Sequence, residues 1–187
     1  MVTLAQLWLP ILLGGVAVFF ASFVLRMVLP HHWNDFEKVP DEDGAMDALR
    51  KAGVRQGQYM FPHATGPKCM SDPAWMAKWK QGPTGHMYVF PSGELSMGKS
   101  LLQSFAFNVF GSFMAAYLAT MALPIGASGS LVLRFIGTIA FLIYGGALVW
   151  GPIWKGSTWT MLGKELFDAA VYGLATGAVF ALLWPQS

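Results

Sequence analysis

The side chains best suited to chemistry are concentrated in one polar stretch of the sequence, residues 31–100. It contains every histidine and the single cysteine of the chain, with six of the eleven methionines. Imidazole, thiolate and thioether groups are the ligand types that copper accepts. The metal-ligand candidates that this composition suggests are His63, Cys69, His86 and Met87. Their spacing fits neither C-x-x-C nor H-x-x-x-H, so the sequence predicts no cofactor and leaves copper as an alternative.

The other reactive residues of this stretch have simpler interpretations. His31 and His32 directly follow a long apolar segment, where we expect them to lie at the lipid headgroup boundary. Cys69 and the methionines are expected to fill a small core. A single cysteine also permits no intramolecular disulfide.

The acidic residues of the sequence give little support for acid–base catalysis. The acidic run between Asp35 and Asp47 is typical of a solvated helix start. Glu165 and Asp168 are the only acids near an apolar segment of the C-terminal half, and we expect them to open its last helix, where they would complement the helix dipole. No G-x-S-x-G, H-E-x-x-H, Walker or dinucleotide motif is present. The sequence therefore favours a non-enzymatic role.

These residues must be positioned by helices in a membrane. Of the 187 residues, 55% are hydrophobic and 12% charged, about half the charged fraction of a soluble domain. Because a membrane helix needs about 20 apolar residues, we expect spans over residues 4–29, 101–123, 131–150 and 166–184. The fold class is an all-α integral membrane protein, a four-helix transmembrane bundle. Residues 1–30 form helix 1, residues 31–100 an extramembrane module, and residues 101–187 helices 2–4.

The insertion is predicted to be mixed and mostly irregular. An acidic start and a basic end predict a short helix over residues 45–52 before Gly53, and Ser71-Asp72-Pro73 predicts the start of another. Two similar segments, residues 59–62 and 88–91, place Tyr and Phe on one face of extended chain and end in Pro. They would pair as a small ribbon or lie separately on the membrane surface.

Small and weakly polar residues mark the helix contacts within the membrane. Such residues let backbones approach, and an amide bonds across the contact. We expect these residues to pack inside one bundle rather than between copies of the chain, although a homo-oligomer remains an alternative. The contact candidates are Ser104, Asn108, Ser112, Gly173 and Gly177. Tryptophans concentrate at membrane interfaces, and the interface candidates are Trp8, Trp75, Trp79, Trp150, Trp154 and Trp184.

Basic residues predict the orientation. Those next to the spans are Arg26, Lys99, Lys155 and Lys164 on the side of the insertion, against Arg134 alone on the other. By the positive-inside rule the insertion is cytoplasmic and both termini are outside, in a multi-pass protein of the cell inner membrane. The net charge of +2 is too small for electrostatic capture of nucleic acid.

The C-terminal part carries Trp154-Lys155-Gly156, an early Asp168 in the last apolar segment, and Leu183-Trp184-Pro185. In these features it resembles the ending of a family of small bacterial four-span membrane proteins, a domain of unknown function. In that family a short link with Trp and Gly leads into a final helix with an early Asp and a terminal Trp. The resemblance covers residues 101–187 at most, implies a four-span architecture, and carries over no functional residue.

Three hypotheses for function follow. The first is an accessory or assembly subunit of a membrane complex, whose partners are membrane lipids and other membrane protein subunits. The second is a metal- or redox-active membrane protein that uses His, Cys and Met of the insertion. The third is a small transporter or lipid-handling enzyme, which would use Asn108, Glu165 or Asp168.

Overall fold

The computed structural model describes residues 2–94 and 96–187, and its main feature is a set of four long apolar helices. They extend over Leu4–Val28, Gly98–Ala122, Gly129–Lys155 and Trp159–Leu183, and each is long and apolar enough to cross a membrane. The predicted all-α bundle with an insertion after its first helix is confirmed. The chain forms two compact units: Met1–Asp35, Ser96–Trp150 and Thr158–Ser187 make the bundle unit, and Phe36–Leu95 with Gly151–Ser157 make the module.

Four α-helices form the bundle unit, and helices that follow each other in the sequence are not always the ones that pack most closely. They are α1 (Trp8–Phe23), α4 (Gly98–Ala122), α5 (Gly129–Gly145) and α6 (Trp159–Leu183). Helix α1 packs against both α4 and α6, and α5 packs mainly against α6. Helices α4 and α5 are joined by a short loop, as expected of an antiparallel pair, yet they contact each other far less than α5 contacts α6. The loop therefore joins two helices whose main packing partners lie elsewhere.

Close backbone approach explains the tight α5–α6 contact. A Cβ atom added at Gly177 would lie 2.7 Å from the carbonyl oxygen of Leu133, and one at Gly173 would lie 2.7 Å from that of Gly137. The GxxxG of α6 thus packs inside this bundle, as small residues do at membrane helix contacts. Asn108 is also buried.

Two other predicted contact residues have opposite outcomes. Ser112 is buried in α4 between the helices of the bundle. Ser104 is exposed, so it makes no buried contact inside the bundle, and its role as a partner contact stays a prediction. It lies two turns before Ser112 on α4, near the helix start, where the bundle does not cover it.

The start of α6 corrects a second expectation. The helix begins at Trp159, where the Thr158 side chain caps it by accepting a hydrogen bond from the Met161 N–H at 3.1 Å. The apolar pattern alone placed this start at residue 166. Glu165 and Asp168 therefore do not open the helix, and Asp168 lies in its third turn with 0% exposure.

The module confirms the elements predicted for the insertion. Helix α2 (Glu42–Lys51) is capped by Asp41, and α3 (Pro73–Gln81) by Asp72. Strands β1 (Gly57–Phe61) and β2 (Gly85–Val89) pair antiparallel, with Tyr59 opposite Met87 and Met60 opposite His86. The two aromatic segments thus form the ribbon rather than separate arms.

Most of the predicted interface tryptophans are accessible. Trp8, Trp150 and Trp154 are exposed, whereas Trp75 and Trp79 stack on each other at 5.1 Å between ring centroids, with Trp79 the more exposed. Trp184 is the exception, with 3% exposure. Its indole N–H donates to the Pro124 carbonyl at 3.0 Å, so it connects the end of α6 to the α4–α5 loop and does not face outward.

Candidate metal centre

A turn at the end of the first span carries two histidines back over the bundle. The last turn of that span, Val24–Val28, is π-helical, and Leu29 is extended (φ −83°, ψ 138°). This conformation is expected of a residue that precedes proline. Pro30 then starts a 3₁₀ turn, Pro30–His32, so the chain changes direction immediately after the helix. His31 and His32 consequently face α6, and they do not simply end the span at a headgroup boundary.

Helix α6 supplies the facing residues from one side of its first three turns. Lys164 and Asp168 are four residues apart, and Glu165 precedes Asp168 by three, so all three lie on neighbouring positions of the helix surface. The site lies entirely within the bundle unit. We call the group of Arg26, His31, His32, Asp35, Lys164, Glu165 and Asp168 the histidine–aspartate cluster.

Asp168 is the centre of the histidine–aspartate cluster. Its side chain is 1% exposed, and its two oxygens contact two different imidazoles. His31 Nε2 lies 3.0 Å from Oδ1, and His32 Nε2 lies 2.9 Å from Oδ2. Among the His, Cys, Asp and Glu residues that the structure describes, these three form the one group whose potential ligand atoms all lie within 4.8 Å of one another.

His32 lies between two carboxylates. Its Nε2 faces Asp168, and its Nδ1 lies 2.5 Å from Asp35 Oδ2. Burial by itself lowers the pKa of His32, but the hydrogen bonds to Asp35 and Asp168 outweigh burial, so the pKa lies above its ordinary value. An imidazole can donate from both nitrogens only as the imidazolium. The contacts with Asp35 and Asp168 thus favour the protonated form of His32.

Asp35 continues the network on the far side of His32. Lys164 Nζ donates to Asp35 Oδ1 at 2.6 Å. Burial alone raises the pKa of Asp35, but hydrogen bonds from Lys164 and His32 more than compensate, so the pKa lies below its ordinary value. Asp35 is thus a carboxylate that holds the orientation of the His32 ring.

Arg26 is the second cation of the histidine–aspartate cluster, beside Lys164. Its guanidinium lies 2.6 Å from Glu165 Oε2 and 3.6 Å from Asp168 Oδ2. The histidine–aspartate cluster thus contains three carboxylates and two permanent cations. With both imidazoles neutral, one negative charge is uncompensated. A proton on one imidazole would balance it, whereas a divalent metal ion with both imidazoles neutral would leave a net charge of +1.

A cleft opens beside the histidine–aspartate cluster. Its volume is about 830 Å³, and its wall includes His31 and Lys164 together with the apolar side chains of Leu29 and Phe167. His31 Nδ1 is buried and has no hydrogen-bond partner among the described residues. A small molecule in this cleft would meet both an imidazole and an ammonium group.

The metal-ligand residues predicted from the sequence lie in the module. His63, His86 and Met87 line one shallow cavity of about 260 Å³ next to the β1–β2 ribbon. Cys69 is not in its wall, and its Sγ lies 3.0 Å from Thr65 Oγ1. His63, Cys69 and His86 do not converge as ligands in the described part of the chain.

Sequence reasoning missed the histidine–aspartate cluster because it placed its members in separate roles. One signal was available: Arg26 lies near the end of the first apolar segment, and Glu165 with Asp168 lies near the start of the fourth. Opposite charges thus occur at the same end of two antiparallel helices. A charged residue inside a span usually has such a partner. The contact of His31 and His32 with α6 depends on the turn at Pro30, which periodicity does not reveal.

The chain matches no protein-family model, no curated protein and no solved structure. The resemblance of residues 101–187 to a four-span family therefore stays a hypothesis, and the function has to be argued from the site itself.

Proposed function

We propose that this chain is an integral membrane metalloprotein that binds one divalent transition-metal ion, of the zinc or iron(II) type, through His31, His32 and Asp168. The observation that carries the proposal is the convergence of two imidazole nitrogens and a carboxylate within 4.8 Å of one another. Two histidines and one carboxylate are a ligand set found in both zinc and non-haem iron sites. The proposal thus keeps the metal-protein hypothesis but moves it away from His63 and Cys69.

The distances in the histidine–aspartate cluster are close to those that a metal requires. Ligands about 2.0–2.1 Å from a tetrahedral ion are about 3.3 Å from one another. The two contacts between Asp168 and the imidazole nitrogens are 2.9 and 3.0 Å. These contacts use different oxygens of Asp168, and the ligand atoms of the three residues lie within 4.8 Å of one another, so binding one ion would require the side chains to shift toward a common point.

Hydrogen bonding supports the same assignment. An ion at His32 Nε2 would replace the proton there, while Nδ1–H continues to donate to Asp35. Metal-bound histidines commonly donate their second N–H to a carboxylate, which fixes the ring and raises its basicity. Asp35 would play this role, and Lys164 would hold Asp35 in turn.

Three protein ligands leave at least one coordination position for water or a substrate. The cleft beside His31 is wide enough for a small molecule, and Lys164 adds a positive charge to its wall. A metal centre of this type acts as a Lewis acid and lowers the pKa of bound water. The proposed function is thus metal binding with an accessible site, and it does not specify a reaction.

Metal content is the direct test. The full-length protein, purified in detergent and stripped with a chelator, is dialysed against micromolar Zn²⁺ or, without oxygen, Fe²⁺, and the bound metal is measured by elemental analysis. We expect one ion per chain, and strong loss of binding in His32→Ala and Asp168→Ala. His63→Ala and His86→Ala are matched controls that should keep the ion. Loss of metal only in the two controls would contradict the assignment.

A second candidate function is that of an accessory or assembly subunit, and the surface of the module favours it. Phe90 is 82% exposed and Phe36 84%, although both belong to the polar part of the chain. Large exposed aromatics are enriched at protein contacts. Native mass spectrometry after mild-detergent extraction tests this role: we expect a bound protein subunit that is lost in Phe90→Ser and kept in Lys78→Gln. A chain that is always alone would contradict it.

We also propose that the module lies in the cytoplasm of a bacterial cell and that both termini lie outside. The supporting observation is the distribution of Lys and Arg next to the spans. Cys69 is the only thiol, so a membrane-impermeant maleimide reports its side directly. We expect labelling only after the cells are permeabilised, and labelling of intact cells would reverse the orientation.

A further inference from the structure

A single cation lies at the end of the bundle opposite to the histidine–aspartate cluster. Arg134 is the sixth residue of α5, and its side chain is exposed. In the described part of the chain its guanidinium has neither an ion-pair nor a hydrogen-bond partner. The neighbouring loop, residues 123–128, and residues 184–187 contain no charged side chain. Among the described residues, Arg134 is therefore the one charged side chain at this end.

The position of Arg134 along the helix indicates its depth. It lies five residues after Gly129, which corresponds to about 7.5 Å along the helix axis. At this depth a long side chain reaches the headgroup layer while its methylene groups stay in apolar surroundings. A charged residue within a membrane span normally has a partner. The headgroup layer supplies one, since it contains phosphate groups.

An apolar groove extends from Arg134 into the membrane-spanning part of the bundle. It has a volume of about 580 Å³, and it exists because α4 and α5 contact each other little. Its wall is formed by Leu118 and Met121 of α4, and by Leu131, Phe135, Thr138 and Ile139 of α5. Between Leu131 and Ile139 the groove follows α5 for about 12 Å. Arg134 also lies in this wall, so a cation and an apolar channel form one surface.

We propose that this surface binds one anionic phospholipid, whose phosphate pairs with Arg134 and whose acyl chain occupies the α4–α5 groove. The guanidinium forms charge-assisted hydrogen bonds to phosphate oxygens. Charge complementarity selects an anionic lipid, because its headgroup has no cation of its own to neutralise the phosphate. The apolar wall selects a molecule with a hydrocarbon chain over a free anion. This site is separate from the proposed metal centre, which lies near the start of α6 at the opposite end of the bundle unit.

Native mass spectrometry with defined lipids tests the proposal. The delipidated full-length protein in detergent is titrated with dioleoyl phosphatidylglycerol or dioleoyl phosphatidylcholine, and bound lipids are counted. We expect the first phosphatidylglycerol to bind about tenfold more tightly than phosphatidylcholine. Arg134→Gln should reduce this preference to about twofold or less, and Arg134→Lys should keep most of it. Lys99→Gln is a matched control, because Lys99 is an exposed cation at the opposite end of the bundle.

A second variant tests the groove separately from the charge. Leu118→Trp places a bulky side chain in the groove, and it should weaken the binding of both lipids while the protein keeps its melting temperature. Glycerol phosphate, which has the headgroup charge without an acyl chain, should not compete. Three results would overturn the proposal: an equal preference in Arg134→Gln and wild type, an equal loss in Lys99→Gln, or full competition by glycerol phosphate.

Discussion

The substitution Asp168→Asn tests whether the histidine–aspartate cluster holds the end of the first span to α6. The amide keeps the shape of the side chain but removes its negative charge. It also places an NH₂ group where one carboxylate oxygen now accepts a hydrogen bond from His31 or His32. One charge-assisted hydrogen bond is lost, the other becomes neutral, and Arg26 loses a counter-charge at 3.6 Å.

The expected magnitude follows from these losses. A hydrogen bond to a charged group contributes about 1.5–3 kcal/mol, and breaking a buried ion pair costs about 3–5 kcal/mol. Because the Asp168 side chain is 1% exposed, water screens little of this effect. We therefore expect the free energy of unfolding to fall by about 3 kcal/mol. For a chain of this length the melting temperature should fall by about 6–12 °C.

The assay is thermal unfolding of the full-length protein in detergent, followed by tryptophan fluorescence, with a chelator present so that no metal contributes. Asp47→Asn is the matched control, because Asp47 is 60% exposed and pairs with Arg50 on the surface of α2. Exposed pairs contribute about 0.5 kcal/mol, so the control should shift by about 2 °C or less. Equal shifts in the two variants would refute the reasoning that the buried carboxylate organises this end of the bundle.

Three further predictions concern other parts of the chain. Gly177→Val places its Cβ 2.7 Å from a carbonyl oxygen of α5 and should lower the stability by about 1–3 kcal/mol, measured by thermal unfolding; an unchanged melting temperature would show that the helices are not in contact there. Trp184→Phe removes the indole N–H that donates to Pro124 and should cost about 1–3 kcal/mol in the same assay, whereas a neutral result would place this indole in lipid. The hydrogen bond from Thr65 holds the pKa of the Cys69 thiol below its ordinary value, so thiolate persists to lower pH; Thr65→Ala should raise the midpoint of the pH dependence of alkylation, and an identical midpoint would contradict this cause.

The elements of this fold could largely be predicted from the sequence because their signals are local. The four apolar runs give the spans, Asp72 and Pro73 give the start of α3, and the repeated Tyr-x-Phe-Pro segments give the β-ribbon. Each of these signals depends on residues within one turn or one strand of the element that they specify. The start of α6 is an exception, because polar residues from Thr158 to Glu165 hide its first two turns from an apolar pattern.

The site could not be predicted in the same way, because it joins residues about 136 positions apart. Contact between His32 and Asp168 requires the turn at Pro30, the early start of α6 and the packing of α1 against α6 together. The composition of the insertion predicted His63 and Cys69 as metal ligands, because they are near other soft ligands in the sequence. They do not converge in space in the described part of the chain. The surroundings of Trp184 could not be predicted either. A tryptophan at the end of a helix has the same sequence pattern whether it faces lipid or donates to a loop carbonyl.

X-ray absorption at the zinc edge of the zinc-loaded protein tests most directly whether His31, His32 and Asp168 hold one divalent ion. We expect a first shell of nitrogen and oxygen only, at about 2.0–2.2 Å, with outer-shell scattering from two imidazoles. The same spectrum should be lost in Asp168→Ala. A sulfur shell near 2.3 Å would place the ion at Cys69. That result, or the absence of bound zinc, would contradict binding of the ion by His31, His32 and Asp168.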